Sequence, residues 1–390
     1  MHGTSGGCEM RVMIVLEATS GGTLRHIAEL APRLQERGLK VSLVCSANRQ
    51  PPCYPVLASL GCTGIEVHEI SMCREIHLLQ DCTATVSLRR LIGTVKPDIL
   101  HLHSSKAGAL GRIARASMLG NAPAVVYTPH CYAFLAQPGA WNRTLYRWIE
   151  RYLLLWTNRV IAVSESEAAI AAGLGARHKV RTIVNGVVLP NDFCMPPSTN
   201  CKFRIGWLGR MIWQKNPQAA VKASFVLNRL GVEHQLEMGG DGPSLRAVEN
   251  IIRELGCEHS VRLHGHVANG EAFYAGLEAF LMTSRVEGLP YSGLDAMAHG
   301  IPIVGFDVPG IRDLVKHGAN GLLSPVQDTG ALAAHLARLA QDPVLRRKLG
   351  AEARIRVIAE FPLERQVERL CSLYHSLAAG PHTETAMVPA

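Results

Sequence analysis

The chain has 390 residues, 47% of them hydrophobic and only 5% aromatic, and it carries a net charge of +8. That length suits two domains, each with material for its own core. The scarcity of aromatic rings argues against single-strand binding by base stacking, and the lack of long Lys/Arg blocks argues against nucleic acid as a partner; the basic balance instead favours a nucleotide, a phosphorylated carrier or an anionic membrane surface.

The eleven cysteines are scattered, without a C-x-x-C pair or zinc-type spacing, and read as reduced thiols. No apolar run reaches the roughly 18 residues that span a bilayer, and the N-terminus carries no apolar signal core. A cytoplasmic location is therefore expected, with at most a peripheral contact at the inner face of the membrane.

Short apolar runs alternate with amphipathic segments along the first half. Residues 11–17, 40–46, 98–103, 124–129 and 159–164 read as buried strands, and 22–38 reads as a helix. This alternation predicts an α/β fold with a parallel, doubly wound sheet. The Pro-, Asn- and Ser-rich stretch 190–203 reads as a linker, so a first domain is expected over 1–190 and the linker over 191–202. A second series, with strands at 203–209, 235–243, 260–267, 279–284 and 301–307, gives a second domain over 203–362. The stretch 342–378 is helical with a break at Pro362, and the tail 380–390 is expected to be disordered. Two such domains leave a cleft, and in open parallel sheets ligands bind at the carboxyl ends of the strands.

The most informative segment is 287–299. An apolar run ends at Thr283 and Ser284, Glu287 follows, and Asp295 lies on the helix that Gly300 closes. Gly288, Leu289, Pro290 and Gly293 fit a constrained turn, and Ser292 fits an N-cap. Such a loop and helix start can hold a phosphate while the acids hold hydroxyls; the two carboxylates also fit a general acid/base pair.

Other motifs admit two readings each. Gly21 and Gly22 let a backbone approach an anion ahead of a helix, or form an ordinary tight turn. Arg210 and Lys215 follow the first strand of the second domain, where two cations can neutralise a diphosphate or simply be solvated. His130 lies just past a buried strand, where a binding or catalytic side chain is expected. His101 and His103 alternate on one strand with no third ligand in view, so no metal site is expected. The turn at 239–243 and the segment 185–190 read as a strand–helix turn and a hinge. Residues 141–159 carry Arg143, Arg147, Arg151 and Arg159 among Trp and Leu; they read as a core-packing helix with solvated arginines or as a face for an anionic membrane. The missing G-x-G-x-x-G fingerprint argues against a nicotinamide oxidoreductase.

Taken in order, GG at 21–22, TPHCYAF at 128–134, VIAVSE at 160–165, VNGV at 184–187, Gly209, Arg210 and Lys215, GGDGP at 239–243 and EGLPYSGLDAMAHGIPIV at 287–304 resemble a retaining glycosyltransferase of family four. The resemblance covers nearly the whole chain, to the helix at 363–379. It implies the GT-B fold: two Rossmann-like doubly wound domains facing a cleft, the first on the acceptor side, the second on the donor side, with the last helix returning toward the first. It also implies transfer of a hexosyl-type sugar from a UDP-, GDP- or ADP-sugar to a glycan or polyprenyl-diphosphate-linked acceptor, with retained anomeric configuration and no cofactor or metal. The sequence lacks the Asp-x-Asp pair that usually clamps a sugar nucleotide through a metal. Members of this kind often build cell-surface polysaccharide.

By the same resemblance, Glu287 contacts the donor sugar and His130 orients it, while Arg210 and Lys215 stabilise charge on the leaving diphosphate. Gly21, Gly22, Gly288, Leu289, Pro290 and Ser292 line the donor. Asp295 stands where the family places a second Glu, one methylene shorter toward the ribose, and Cys131 stands where many members have Gly. Two other functions fit the same architecture: a nucleotide-sugar 2-epimerase, which needs no acceptor, and a non-catalytic sugar-nucleotide-binding subunit.

Overall fold

The computed structural model describes residues 9–17, 21–46, 53–120, 122–136, 139–190, 202–268 and 270–379. The expected linker, apart from Lys202, and the tail from 380 lie outside these. The chain divides into two compact units, one running to Val184 and resuming at Glu364, the other spanning Asn185–Leu363.

The first unit is built on a seven-stranded parallel sheet in the order β3-β2-β1-β4-β5-β6-β7. Its strands are β1 (Arg11–Leu16), β2 (Lys40–Cys45), β3 (Glu66–Glu69), β4 (Ile99–His103), β5 (Ala124–Thr128), β6 (Arg159–Ala162) and β7 (Val180–Thr182). Val12 through Leu16 and all of β4 are buried, as a sheet covered on both faces by helices requires. The two strands that the apolar pattern misses are edges. β3, with sequence EVHE, has no fully buried side chain, and β7 has only three residues.

The second unit carries a six-stranded sheet in the order β10-β9-β8-β11-β12-β13. These are β8 (Phe203–Leu208), β9 (His234–Gly239), β10 (Val261–Gly265), β11 (Ala279–Met282), β12 (Ile303–Phe306) and β13 (Gly321–Ser324). The short β13 was not visible as an apolar run. Both sheets reverse winding direction beside their first strand, between β1 and β4 and between β8 and β11. At such a switch point, adjacent loops diverge to opposite faces and leave a crevice beyond the strand ends.

Residues 185–190, expected to end the first domain, pack in the second unit. The Val187 amide donates to the Phe361 carbonyl at 3.0 Å, and Gly186 lies so close to Leu363 that an added Cβ would stand 2.4 Å from its Cα. The helices Pro343–Glu360 and Leu363–Ala378 break at Phe361 and Pro362. In the first unit, Tyr374 is fully buried with its hydroxyl 2.6 Å from His101 Nδ1.

The helix Ala140–Leu153 is tied to the first sheet by a buried ion pair. Arg112 Nη2 lies 2.8 Å from Glu150 Oε2, the Tyr127 hydroxyl donates to Glu150 Oε1 at 2.8 Å, and the guanidinium stacks 4.0 Å from the Tyr127 ring. Removing one partner strands the other charge away from water. Glu150→Ala is therefore expected to lower unfolding free energy by about 3–5 kcal/mol, read from urea denaturation midpoints.

Candidate active site

In the second unit the loop after β8 and the loop after β11 meet at the switch point. The first runs from Gly209 to Asn216, where the helix Pro217–Arg229 begins. The second runs from Thr283 to Pro290, where the helix Tyr291–Ala298 begins. Several hydrogen bonds join them. The Arg285 amide donates to the Gln214 carbonyl at 2.8 Å, Gln214 Nε2 to the Val286 carbonyl at 3.1 Å and the Thr283 hydroxyl to the Lys215 carbonyl at 3.1 Å. Trp207 Nε1 in turn donates to Thr283 Oγ1 at 2.9 Å.

This scaffold brings Lys215 Nζ to 2.6 Å from Glu287 Oε1. Ser284 donates its hydroxyl to the same carboxylate oxygen. Glu287 is buried while Lys215 keeps partial access to solvent. A carboxylate oxygen held by a cation and a hydroxyl has a fixed direction, and its other oxygen can serve a ligand's hydroxyl. Arg210 stands exposed on the same loop as Lys215.

Local packing explains two of the glycines here and corrects the expected roles of two residues. Ser292 is not the N-cap: the helix Tyr291–Ala298 starts after Pro290, without a side-chain cap, so its first amides face outward past the helix end. Gly293 is not in the turn but inside the helix, where an added Cβ would stand 2.7 Å from Leu314; its role is close packing. Gly240 faces the Gly209 carbonyl oxygen, which a Cβ would approach to 1.9 Å. The 239–243 turn thus seats the loop that carries Arg210. Gly288, Leu289 and Pro290 are buried, and Asp295 and Ser292 are half-buried on the helix.

Sequence reasoning missed two supports of this site. Asn185 Nδ2 donates to the Leu289 carbonyl at 3.0 Å, so the segment taken for a hinge holds the Glu287–Pro290 loop. The Glu287 amide donates to the Pro309 carbonyl at 3.1 Å, and Gly310, at φ +82°, presses on the Glu287 backbone. The Pro309–Gly310 dipeptide was the available signal, since P-G marks a specific turn.

In the first unit, Gly21 at φ +67° precedes the helix Gly22–Glu36, and both glycines are exposed. His130 and Cys131 take left-handed backbones at φ +50° and +82°. The buried carboxylate of Glu167 holds this loop, accepting from the Cys131 amide at 2.7 Å and the Val163 amide at 2.8 Å. The sequence view that His103 has no third partner is corrected. His26, His103 and His130 offer ring nitrogens within 4.8 Å of one another, a set that could hold a metal ion. His103 Nδ1 lies 2.9 Å from His130 Nε2, and His101 Nε2 lies 2.8 Å from Thr128 Oγ1.

Burial keeps these imidazoles neutral. It lowers His130 to about 4 and, aided by the His130 charge, His101 to about 3. His26 and His103 are lowered by burial first and by the neighbouring histidines second.

Two doubly wound parallel units, one on a seven-stranded and one on a six-stranded sheet, are the architecture of the GT-B class of sugar-transferring enzymes. The model of the glycosyl transferase 4-like domain matches residues 21–186, and that of glycosyl transferases group 1 matches 202–342. The chain belongs to this family of glycosyltransferases.

It is 27% identical over 322 residues to the UDP-Gal:alpha-D-GlcNAc-diphosphoundecaprenol alpha-1,3-galactosyltransferase of Escherichia coli, covering 78% of this chain and 82% of the relative. It is 26% identical over 329 residues to the capsular polysaccharide biosynthesis glycosyltransferase CapM of Staphylococcus aureus, covering 79% and 84%. Sucrose-phosphate synthase from Thermosynechococcus elongatus shares the fold with a TM-score of 0.81 at 19% identity, over 95% of this chain and 99% of that one. Among the described residues, no helix is long and apolar enough to cross a membrane.

Two measurements check this geometry. The unfolded chain takes up protons on its histidines below about pH 6.5, whereas these four imidazoles resist protonation until well below that. Stability is therefore fully present above pH 6.5 and falls progressively toward pH 4; urea midpoints that stay flat from pH 7.5 to 5 contradict it. Gly310→Ala forces a side chain into a left-handed backbone against Glu287, and a loss of about 1–3 kcal/mol is expected, again by urea denaturation.

Proposed function

We propose that the enzyme transfers a hexosyl-type sugar from a UDP-sugar to a glycan or polyprenyl-diphosphate-linked acceptor, with retention, in cell-surface polysaccharide biosynthesis. The observation that carries this reading is the Lys215–Glu287 pair at the switch point of the second sheet. The Escherichia coli relative, named for a UDP-sugar donor and a diphosphoundecaprenol-linked acceptor, supports the choice of substrates, and the CapM relative supports the polysaccharide setting.

In this reading the bond from the anomeric carbon to the diphosphate breaks as the acceptor hydroxyl bonds to the same face, and its proton passes to the departing phosphate oxygen. Positive charge grows on the sugar ring and negative charge on the diphosphate. Lys215 and Arg210 stabilise the latter, together with the uncapped start of the helix Tyr291–Ala298. Glu287 accepts from a donor-sugar hydroxyl, its direction fixed by Lys215 and Ser284. Gly288, Leu289, Pro290 and Ser292 line the donor, and Asp295 takes the ribose hydroxyls. In the first unit, the Gly21–Gly22 turn and His130 are assigned to the donor on the family resemblance. The reading calls for no metal, so a chelator is expected to leave turnover unchanged.

A charge-assisted hydrogen bond is worth about 1.5–3 kcal/mol, so Lys215→Ala and Glu287→Gln should each lower kcat/KM at least about tenfold. Asp295→Ala should chiefly raise the donor KM. Activity of Lys215→Ala within about twofold of the parent would remove the assignment. Release of an epimerised sugar nucleotide without acceptor would favour the epimerase.

A further inference from the structure

The segment 141–159, open between two readings in the sequence, does not pack as a core helix. Trp141, Leu145, Trp148, Tyr152 and Leu155 recur every three or four residues and form one stripe. That stripe faces outward: the five side chains are 83%, 45%, 65%, 62% and 68% exposed. The inward face is Glu150, Leu153 and Leu154, all buried. Arg143, Arg147 and Arg151, each four residues from the next, form a second exposed row beside the first, and the Arg151 guanidinium lies 5.9 Å from the Trp148 ring. Glu150 is the one acid between 139 and 164, and Arg112 and Tyr127 hold it inside. The exposed charge of this face is thus all positive.

Just beyond the stripe a pocket of about 440 Å³ is lined by Arg115, Arg159, His178 and Lys179 beside Leu155 and Trp156, with no carboxylate among its walls. Lys179 is anchored there by its bond to the Leu154 carbonyl at 2.7 Å. Apolar surface bordered by cations, with indole rings on the apolar side, matches the layering of a bilayer interface, where rings sit at headgroup depth and arginines reach phosphates. A second copy of the chain fits poorly, because a two-fold contact would bring one arginine row against another.

We propose that this face docks the first unit on an anionic phospholipid bilayer. The aromatic stripe enters the headgroup region, the three arginines meet lipid phosphates, and the basic pocket receives a headgroup phosphate. The inference stands apart from the sugar-transfer reading, since it uses none of the residues assigned to the donor.

The test is sedimentation of the intact chain with vesicles of phosphatidylcholine alone or mixed with phosphatidylglycerol. Binding is expected only to the mixed vesicles and is lost at about 0.5 M salt, where the screening length falls to a few ångströms. Each arginine near an anionic surface contributes about fivefold in partitioning. Arg143→Ala/Arg147→Ala/Arg151→Ala should therefore lower binding on the order of 100-fold, and Arg159→Ala about fivefold. Trp141→Ser/Trp148→Ser should lower binding at every salt concentration at which the parent binds, and because both tryptophans and the Arg143, Arg147 and Arg151 side chains are exposed, the melting curves of these variants are expected to match the parent. Equal binding to both vesicle types, binding to neither, or variants that bind like the parent would overturn the proposal. So would a tryptophan variant that turns a dimer into a monomer in equilibrium sedimentation, which would assign the stripe to a contact between copies.

Discussion

The site in the second unit depends on one ion pair held in a crevice that the sheet topology makes unavoidable. Where the winding reverses between β8 and β11, neighbouring loops part, and the backbone there has no strand to pair with. The protein joins the two loops to each other instead, through Gln214, Arg285 and Thr283, and sets Lys215 against Glu287 where they meet. Taking a carboxylate out of water is costly unless it is paired and hydrogen-bonded. The lysine and the serine hydroxyl supply that pairing, which is why Glu287 can be buried and still point one way. The turn glycines at 240 and 310 follow from the same demand, because each lets backbone approach where a side chain would push the loops apart.

The first unit solves a related problem without charge. Four histidines gather at the ends of β4 and β5, kept from protonation near neutrality by burial; His103 bonds to His130, His101 bonds to Thr128 and Tyr374, and the His26 ring packs against His103 and His130. A neutral imidazole has one donor and one acceptor nitrogen, so each of these bonds fixes the orientation of the rings it joins. His130 receives its placement from both sides. The ring leans on His103, while the backbone is held by Glu167 in a conformation that non-glycine residues rarely adopt.

Much of this was legible in the residues. Buried parallel strands leave continuous apolar runs, so most of both sheets could be read, and the runs that escaped were short edge strands: β3 and β7 with no buried position, and β13 with only four residues. Glu287, Lys215 and Arg210 could be placed at strand ends because Gly and Pro punctuate the loops around them. What could not be read was contact across sequence distance. Nothing local to Asn185 says that it reaches Leu289, and nothing near His26 says that it meets His103. Ser292 was misplaced as a cap because propensity favours serine there, whereas Pro290 sets the entry to the helix by its fixed φ. The face of the helix 140–153 stayed open between two readings for a different reason: periodicity gives the stripe but not whether it turns inward or outward.

The division of the chain has a consequence for how the molecule is made. The second unit is one continuous run, Asn185–Leu363, but the first is interrupted and regains the helix that begins at Leu363 only afterwards. As the chain leaves the ribosome, the second unit has all its parts before the first does. Until Tyr374 emerges, His101 Nδ1 lacks the hydroxyl that it meets in the finished unit. Domains fold as they are synthesised, and incomplete ones expose apolar surface. The unit synthesised first is therefore the one finished last: its seven strands are all present by Thr182, but they wait through the translation of some 180 residues for the helix Leu363–Ala378 that completes the unit.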